Sequence, residues 1–231
     1  MTRRVRLMAL AAFCLLPDGV FADGAAAGGA WLDAPRPAGW NEPGSPVPAA
    51  PRTGNAAADF ARCAAQLRPA TSREDRAVVK AGWRLFGPYQ RFGVTSIVRA
   101  LSGVDGMCRP LGYQDFVFRD GRFAGTLAPA PMDARTDGAS DTIFLYEADR
   151  ITVSFRRYAG TDPLCCPSRT STVVFGFESE GGVAVVPEMV TTRPVGAGAA
   201  YRPGAPADDG GFRRCRARAM TCFIAAKSAS S

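Results

Sequence analysis

Strict alternation marks the clearest segments of the chain. In "RITVSFRRY", Ile151, Val153 and Phe155 fall on one face and Thr152, Ser154 and Arg156 on the other. That is the period-2 pattern of a half-buried β-strand. "STVVFGFE" places Val173, Phe175 and Phe177 on one face. "DFVFRDGRFAGTL" reads as a hairpin: Phe116 and Phe118 alternate, Asp120 and Gly121 turn the chain, and Phe123, Gly125 and Leu127 alternate on the return. "TSIVRAL" (95–101), "TIFLYE" (142–147) and "GVAVV" (182–186) supply further strands. One polar and one apolar face per strand predicts a sheet covered on one side, by a helix or a second sheet.

Helical spacing is confined to one place. Ala77, Val78, Ala81 and Leu85 recur at that period, and Gly82 weakens the later turns. Thr71-Ser72-Arg73-Glu74 has the form of a capping box, with Asp75 adding charge that suits a helix N-terminus. The spacing predicts a helix over about 72–81. Together these elements predict an α+β fold: a single disulfide-stapled domain over residues 57–190, with an antiparallel β-sheet core and one N-terminal helix.

Composition changes on both sides of this region. Six prolines stand between Pro35 and Pro51, so residues 23–56 read as a Pro/Gly/Ala-rich strap or linker. Trp31, Leu32 and Trp40 favour a strap docked on the domain, because exposed tryptophans are a liability. Residues 191–231 read as a Gly/Pro-rich linker and a basic tail, with Arg213, Arg214, Arg216 and Arg218 around Cys215. The first residues have the organisation of a signal peptide. Arg3, Arg4 and Arg6 precede an apolar run from Leu7 to Leu16 that is too short to span a bilayer. Cleavage is expected after Ala22, which predicts a periplasmic or secreted protein. Cys14 follows Phe13, where a lipobox needs a small residue, so lipidation there is not expected.

Charge narrows the partners. The formal net charge is +7; removing residues 1–22, with three arginines and Asp18, lowers it to +5. That allows at most weak contact with an anionic membrane or polymer surface. No basic segment interleaved with aromatics appears, so nucleic acid is not an expected partner. The chain contains no histidine. Cys–His and Ser–His catalysis and His-ligated metals are therefore excluded, and neither cofactor nor metal is expected.

Candidate chemistry is sparse. In "PMDARTDGASD", Asp133, Arg135 and Asp137 lie close together, with Asp141 beyond. An EF-hand loop would need an acidic or amide residue at Arg135 and a glutamate at Phe144, so calcium is not indicated. Asp133, Arg135 and Asp137 are the candidate ligand-binding residues. The expected function is a non-catalytic binding or structural module acting on an envelope protein or ligand. The alternative is a carboxylate-dependent periplasmic hydrolase, with Asp115 or Asp162 as a second acid and Arg135 as an anion clamp.

Six cysteines remain after the leader: Cys63, Cys108, Cys165, Cys166, Cys215 and Cys222. An even number in an oxidising compartment implies disulfides. Adjacent cysteines match neither zinc-type spacing nor a redox C-x-x-C. A bridge between Cys165 and Cys166 lies outside ordinary disulfide geometry. Pro167 biases Cys166 to an extended conformation, in which neighbouring side chains point to opposite sides. The expectation is a double staple: one member of the doublet to Cys63, the other to Cys108, in either order. Cys215 and Cys222 are expected to pair locally.

Several long blocks carry a resemblance. "GWRLFGPYQ", "DGMCRPLGYQDFVFRDGRFAGTLAPAPMDARTDG", "FRRY" and "DPLCCPS" resemble the LppP/LprE family of bacterial lipoproteins and exported relatives over about residues 77–187. The resemblance implies a cell-envelope or exported protein and supplies no catalytic residues. The missing lipobox departs from the family and bears on tethering, not on the fold.

Overall fold

The computed structural model describes residues 28–52 and 56–196, all within the first of two compact units, Met1–Ala197. The leader, Cys14, Cys215, Cys222 and the arginine-rich tail lie outside the described residues.

Among the described residues the chain forms eleven strands, two short α-helices, α1 (Ala56–Arg62) and α2 (Arg73–Lys80), and two 3-10 turns, Ala30–Asp33 and Ala64–Gln66. The strands are β1 (Arg84–Leu85), β2 (Gln90–Phe92), β3 (Thr95–Leu101), β4 (Gly103–Val104), β5 (Pro110–Leu111), β6 (Gln114–Arg119), β7 (Arg122–Thr126), β8 (Ser140–Phe144), β9 (Ile151–Arg157), β10 (Arg169–Glu178) and β11 (Ala184–Pro194). One sheet runs β1-β3-β6-β7, with β2 also paired to β3; a second runs β11-β10-β9-β8; β4 and β5 form a small ribbon. All the pairings are antiparallel.

The α+β class is therefore corrected to a mostly-β architecture. The alternation that predicts one-sided strands holds for β9, where Ile151, Val153 and Phe155 are buried and the residues between them half-buried. It fails for β3 and β6, which are covered on both faces. Ile97, Leu101 and Val117 enter the core between the two sheets, with Ile151, Val153, Phe155, Val173 and Phe175 opposite. Val98, Ala100, Phe116 and Phe118 enter a second core with Val78 of α2 and Trp83. The cover on the first face is a second sheet and on the other a single short helix, so helix contributes little to the class.

The N-terminus of α2 is capped at Ser72, one residue later than the sequence pattern indicates. Asp75 N–H donates to Ser72 Oγ (2.9 Å), and Ser72 N–H donates to Asp75 Oδ2 (3.2 Å). Thr71–Glu74 and Ser72–Asp75 both have capping-box spacing. Arg68 decides between them, because it donates to both oxygens of Asp75, at 2.8 and 2.7 Å. Burial works against charge on Asp75, but Arg68 and the amides of Thr71 and Ser72 outweigh it and hold its pKa at about 2.

Residues 28–52 dock onto both cores through a few side chains. Trp31, Leu32 and Trp40 are buried in the core between the sheets, and Trp83 Nε1 donates to Pro48 O (2.7 Å). Trp40 Nε1 donates to Thr126 Oγ1 (3.0 Å). Asn41 joins the two sheets: its amide donates to Thr126 O (2.8 Å) and Val185 O (2.9 Å) and accepts from Thr126 N–H (2.8 Å). The opposing position is Gly125 (φ +134°), where a Cβ would collide with the Asn41 amide.

The disulfides correct the double-staple expectation. Cys63 is bonded to Cys108, and Cys165 to Cys166. The doublet does not lie in extended chain. It occupies an exposed turn between β9 and β10, closed by Cys166 N–H donating to Pro163 O (2.9 Å). The Asp162 carboxylate pins this turn by accepting from Ala159 N–H (2.7 Å), Ser168 N–H (2.9 Å) and Ser168 Oγ (2.7 Å). Cys63 is buried at the end of α1, where a 5.5 Å Cα separation places it against Cys108. The turn centres on Leu164 and Cys165, ahead of the one residue that Pro167 constrains.

Candidate functional site

A cleft of about 160 Å³ opens at one margin of the inter-sheet core, lined by residues that include Arg99, Tyr113, Arg135, Ser140, Asp141 and Arg156. Its floor comes from strand pairing. Arg99 on β3 and Asp115 on β6 are direct cross-strand partners. They stand on the inner face, at the same parity as Ile97 and Val117. Arg99 Nε donates to Asp115 Oδ1 (2.6 Å), and Nη2 donates to Asp115 Oδ2 (3.3 Å).

Ser140, the first residue of β8, closes the network. Its hydroxyl donates to Asp115 Oδ2 (2.6 Å) and accepts from Arg99 Nη2 (3.1 Å). Tyr113 Oη donates to Ser140 O (2.8 Å). Tyr113 is fixed by reciprocal backbone hydrogen bonds with Met132 (2.7 and 2.8 Å). The Arg99 guanidinium also lies 5.9 Å from the Phe86 ring centroid and 5.8 Å from that of Tyr113, within cation–π range of both.

These contacts set the electrostatics. Burial opposes the charge of Arg99, but the attraction and hydrogen bonds of Asp115 outweigh it and raise the pKa of Arg99 above its ordinary value. Burial, with the Asp115 charge beside it, pushes the Tyr113 phenol up to about 12. Tyr113 is therefore a neutral hydrogen-bonding group at physiological pH. On the rim, Arg156 Nη2 donates to Asp141 Oδ1 (2.6 Å).

The three candidate residues separate. Asp133 accepts from Gly112 N–H (2.7 Å). Asp137 accepts from Arg157 Nε (2.9 Å) and Tyr158 N–H (2.8 Å). Arg157 in turn holds Asp33 of the N-terminal segment. Both aspartates thus hold loops and strands in place, and only Arg135 lines the cleft. It is exposed, has φ +64°, and makes no hydrogen bond or ion pair among the described residues. Asp162, weighed as a second acid, belongs to the doublet turn. Sequence reasoning missed Arg99, Tyr113, Ser140 and Arg156 as a group. The available signal was charge at an inward-facing position of two apolar strands, Arg99 in "TSIVRAL" and Asp115 before "FVF".

Residues 95–180 match the LppP/LprE lipoprotein family. The matched segment runs from β3 to β10 and contains Arg99, Tyr113, Asp115, Arg135, Ser140 and Arg156. α2, α1 and the N-terminal segment lie outside it. A match to a family of lipoproteins suggests an exported, envelope-associated protein. No curated protein and no solved structure matches the chain. Among the described residues no helix is long and apolar enough to cross a membrane, and no group of three or more acidic or cysteine side chains is arranged to hold a metal ion.

Proposed function

We propose that the protein is a non-catalytic binding module of the cell envelope, freed into the periplasm or medium by cleavage near Ala22, and that it holds an envelope component in the cleft between its sheets. The observation that carries this reading is the commitment of the carboxylates. Asp115 is fully buried and bonded to Arg99 and Ser140. Asp133 and Asp137 lie off the cleft lining, where they hold a backbone amide and Arg157, and Asp141, the acid on the cleft rim, is paired with Arg156. General acid–base work needs a carboxyl group within reach of a reacting atom and free to exchange its proton. A floor whose acceptors are already satisfied instead supplies a fixed, pre-organised surface, which suits binding.

The test uses the immobilised full chain and the envelope fraction of its host. An envelope component should be captured by the natural protein and lost when Ala134→Phe fills the cleft, with the unfolding temperature unchanged. Capture that survives Ala134→Phe, or hydrolysis of an envelope polymer by the purified chain, would overturn the reading.

A further inference from the structure

The geometry points to an oxyanion subsite in this cleft: Arg135, Arg156 and the free edge of Arg99 together receive a phosphate or carboxylate group of the bound component. This inference rests on the cleft reading proposed above and names the chemistry of its ligand.

Three observations converge on it. First, Arg99 uses Nε and Nη2 within the protein, while Nη1 has no partner among the described residues and retains solvent contact. A guanidinium locked by Asp115, Ser140 and two aromatic rings presents that remaining edge in a fixed direction. Little side-chain entropy is then lost when a ligand arrives.

Second, the charges facing the cleft do not cancel. Asp115 is matched by Arg99 and Asp141 by Arg156. Arg135 is left over as one uncompensated positive charge on the lining. Oxyanions are the ligands that such donors recognise, through charge-assisted hydrogen bonds.

Third, Arg135 occupies a backbone conformation that favours glycine or asparagine, at φ +64°. The turn around it is fixed without its side chain: Ala134 N–H donates to Pro110 O (2.9 Å), Thr136 Oγ1 to Asp133 O (2.7 Å) and Gly112 N–H to Asp133 Oδ1 (2.7 Å). An arginine there gains nothing locally from its guanidinium, and it is aligned with the cleft lining. A cavity of about 160 Å³ holds several water-sized volumes, enough for a hydrated phosphate or carboxylate.

The experiment is an amide NMR titration of the full chain with inorganic phosphate and, separately, acetate, against chloride at matched ionic strength. Saturable shifts are expected at Ala134, Arg135, Ser140 and Asp141, with affinity about tenfold weaker in Arg135→Gln. Arg135 is exposed and unpaired, so that variant should unfold at the natural temperature. Stronger binding of phosphate would assign a phosphorylated polymer or lipid headgroup as the source, and stronger binding of acetate a carboxylate. Shifts no larger than those with chloride, or unchanged affinity in Arg135→Gln, would overturn the subsite. If envelope capture is lost in Ala134→Phe while neither anion binds, the subsite fails and the cleft reading stands. If capture ignores Ala134→Phe, the cleft reading itself fails.

Discussion

Arg99 and Asp115 face each other across adjacent strands, and the carboxylate of Asp115 has no exposure to solvent while the arginine stays partly exposed and lines the cleft. A buried ion pair is weak evidence of stabilisation in itself, but removing one partner leaves the other charge uncompensated. Asp115→Ala should therefore destabilise the fold by about 3 kcal/mol, read as a fall in the urea midpoint at unchanged slope. The double variant Arg99→Met with Asp115→Leu should recover much of that loss, because both charges leave together. Losses that simply add in the double variant would mean the pair is not coupled.

Asp75 makes stability depend on acid. Its pKa is about 2 in the folded state, against about 3.9 in an unfolded chain. The group is depressed, so its contribution is present above about pH 4 and is lost as pH falls toward about 2. The contribution is about 2–3 kcal/mol. Asp75→Asn should be less stable than the natural protein by roughly that amount near neutrality, and the difference should close on acidification. A difference constant across this range would show that Asp75 acts through packing rather than charge.

The strands with one wet face were legible in the sequence because alternation records burial on one side only. β9 follows from Ile151-Val153-Phe155 directly; the hairpin of β6 and β7 was legible through its Asp120-Gly121 turn, although β6 is buried on both faces. The fold class was not legible, because alternation does not say what covers the apolar face. Val117 and Phe116 are neighbours in sequence, yet they enter different cores, one against a sheet and the other against α2 and Trp83. The cleft was half legible. Arg135 stood out through its acidic neighbours Asp133 and Asp137, which turned out to serve the scaffold. Arg99, Tyr113 and Ser140 come from separate strands and loops, and only register brings them together. The disulfide error has the same origin: Pro167 constrains Cys166 locally, and the turn set by Asp162 lies outside that constraint.

Asn41 is the joint between the sheets. Replacing it with alanine strands Thr126 N–H, Thr126 O and Val185 O in a partly buried site. The expected cost is about 2–3 kcal/mol, measured by thermal unfolding. Asn41→Asp keeps an acceptor for Thr126 N–H but sets a carboxylate against two carbonyls. It should be similarly destabilised at neutral pH and partly recovered in acid, where the protonated carboxyl can donate. If Asn41→Ala unfolds at the natural temperature, the joint is made by Trp40 and the surrounding packing instead.

The two disulfides should behave differently, for topological reasons. Cys63 and Cys108 are 45 residues apart, so their bond closes a long loop and restricts the unfolded chain, worth about 4 kcal/mol in the loop-entropy account. Cys165 and Cys166 are adjacent, so their bond closes no comparable loop and adds little of this kind. Paired replacement Cys63→Ala with Cys108→Ala should lower the unfolding temperature substantially, and Cys165→Ser with Cys166→Ser should leave it nearly unchanged. The exposed doublet should also open first under mild reductant, while Cys63 is buried and resists until the fold loosens. Mass spectrometry of a non-reduced digest decides the connectivity beneath both expectations: the Cys63 peptide should be joined to the Cys108 peptide, and the doublet peptide should lack any bond to either. A cross-link from the doublet to Cys63 or Cys108 would restore the double staple and remove the basis for the stability difference.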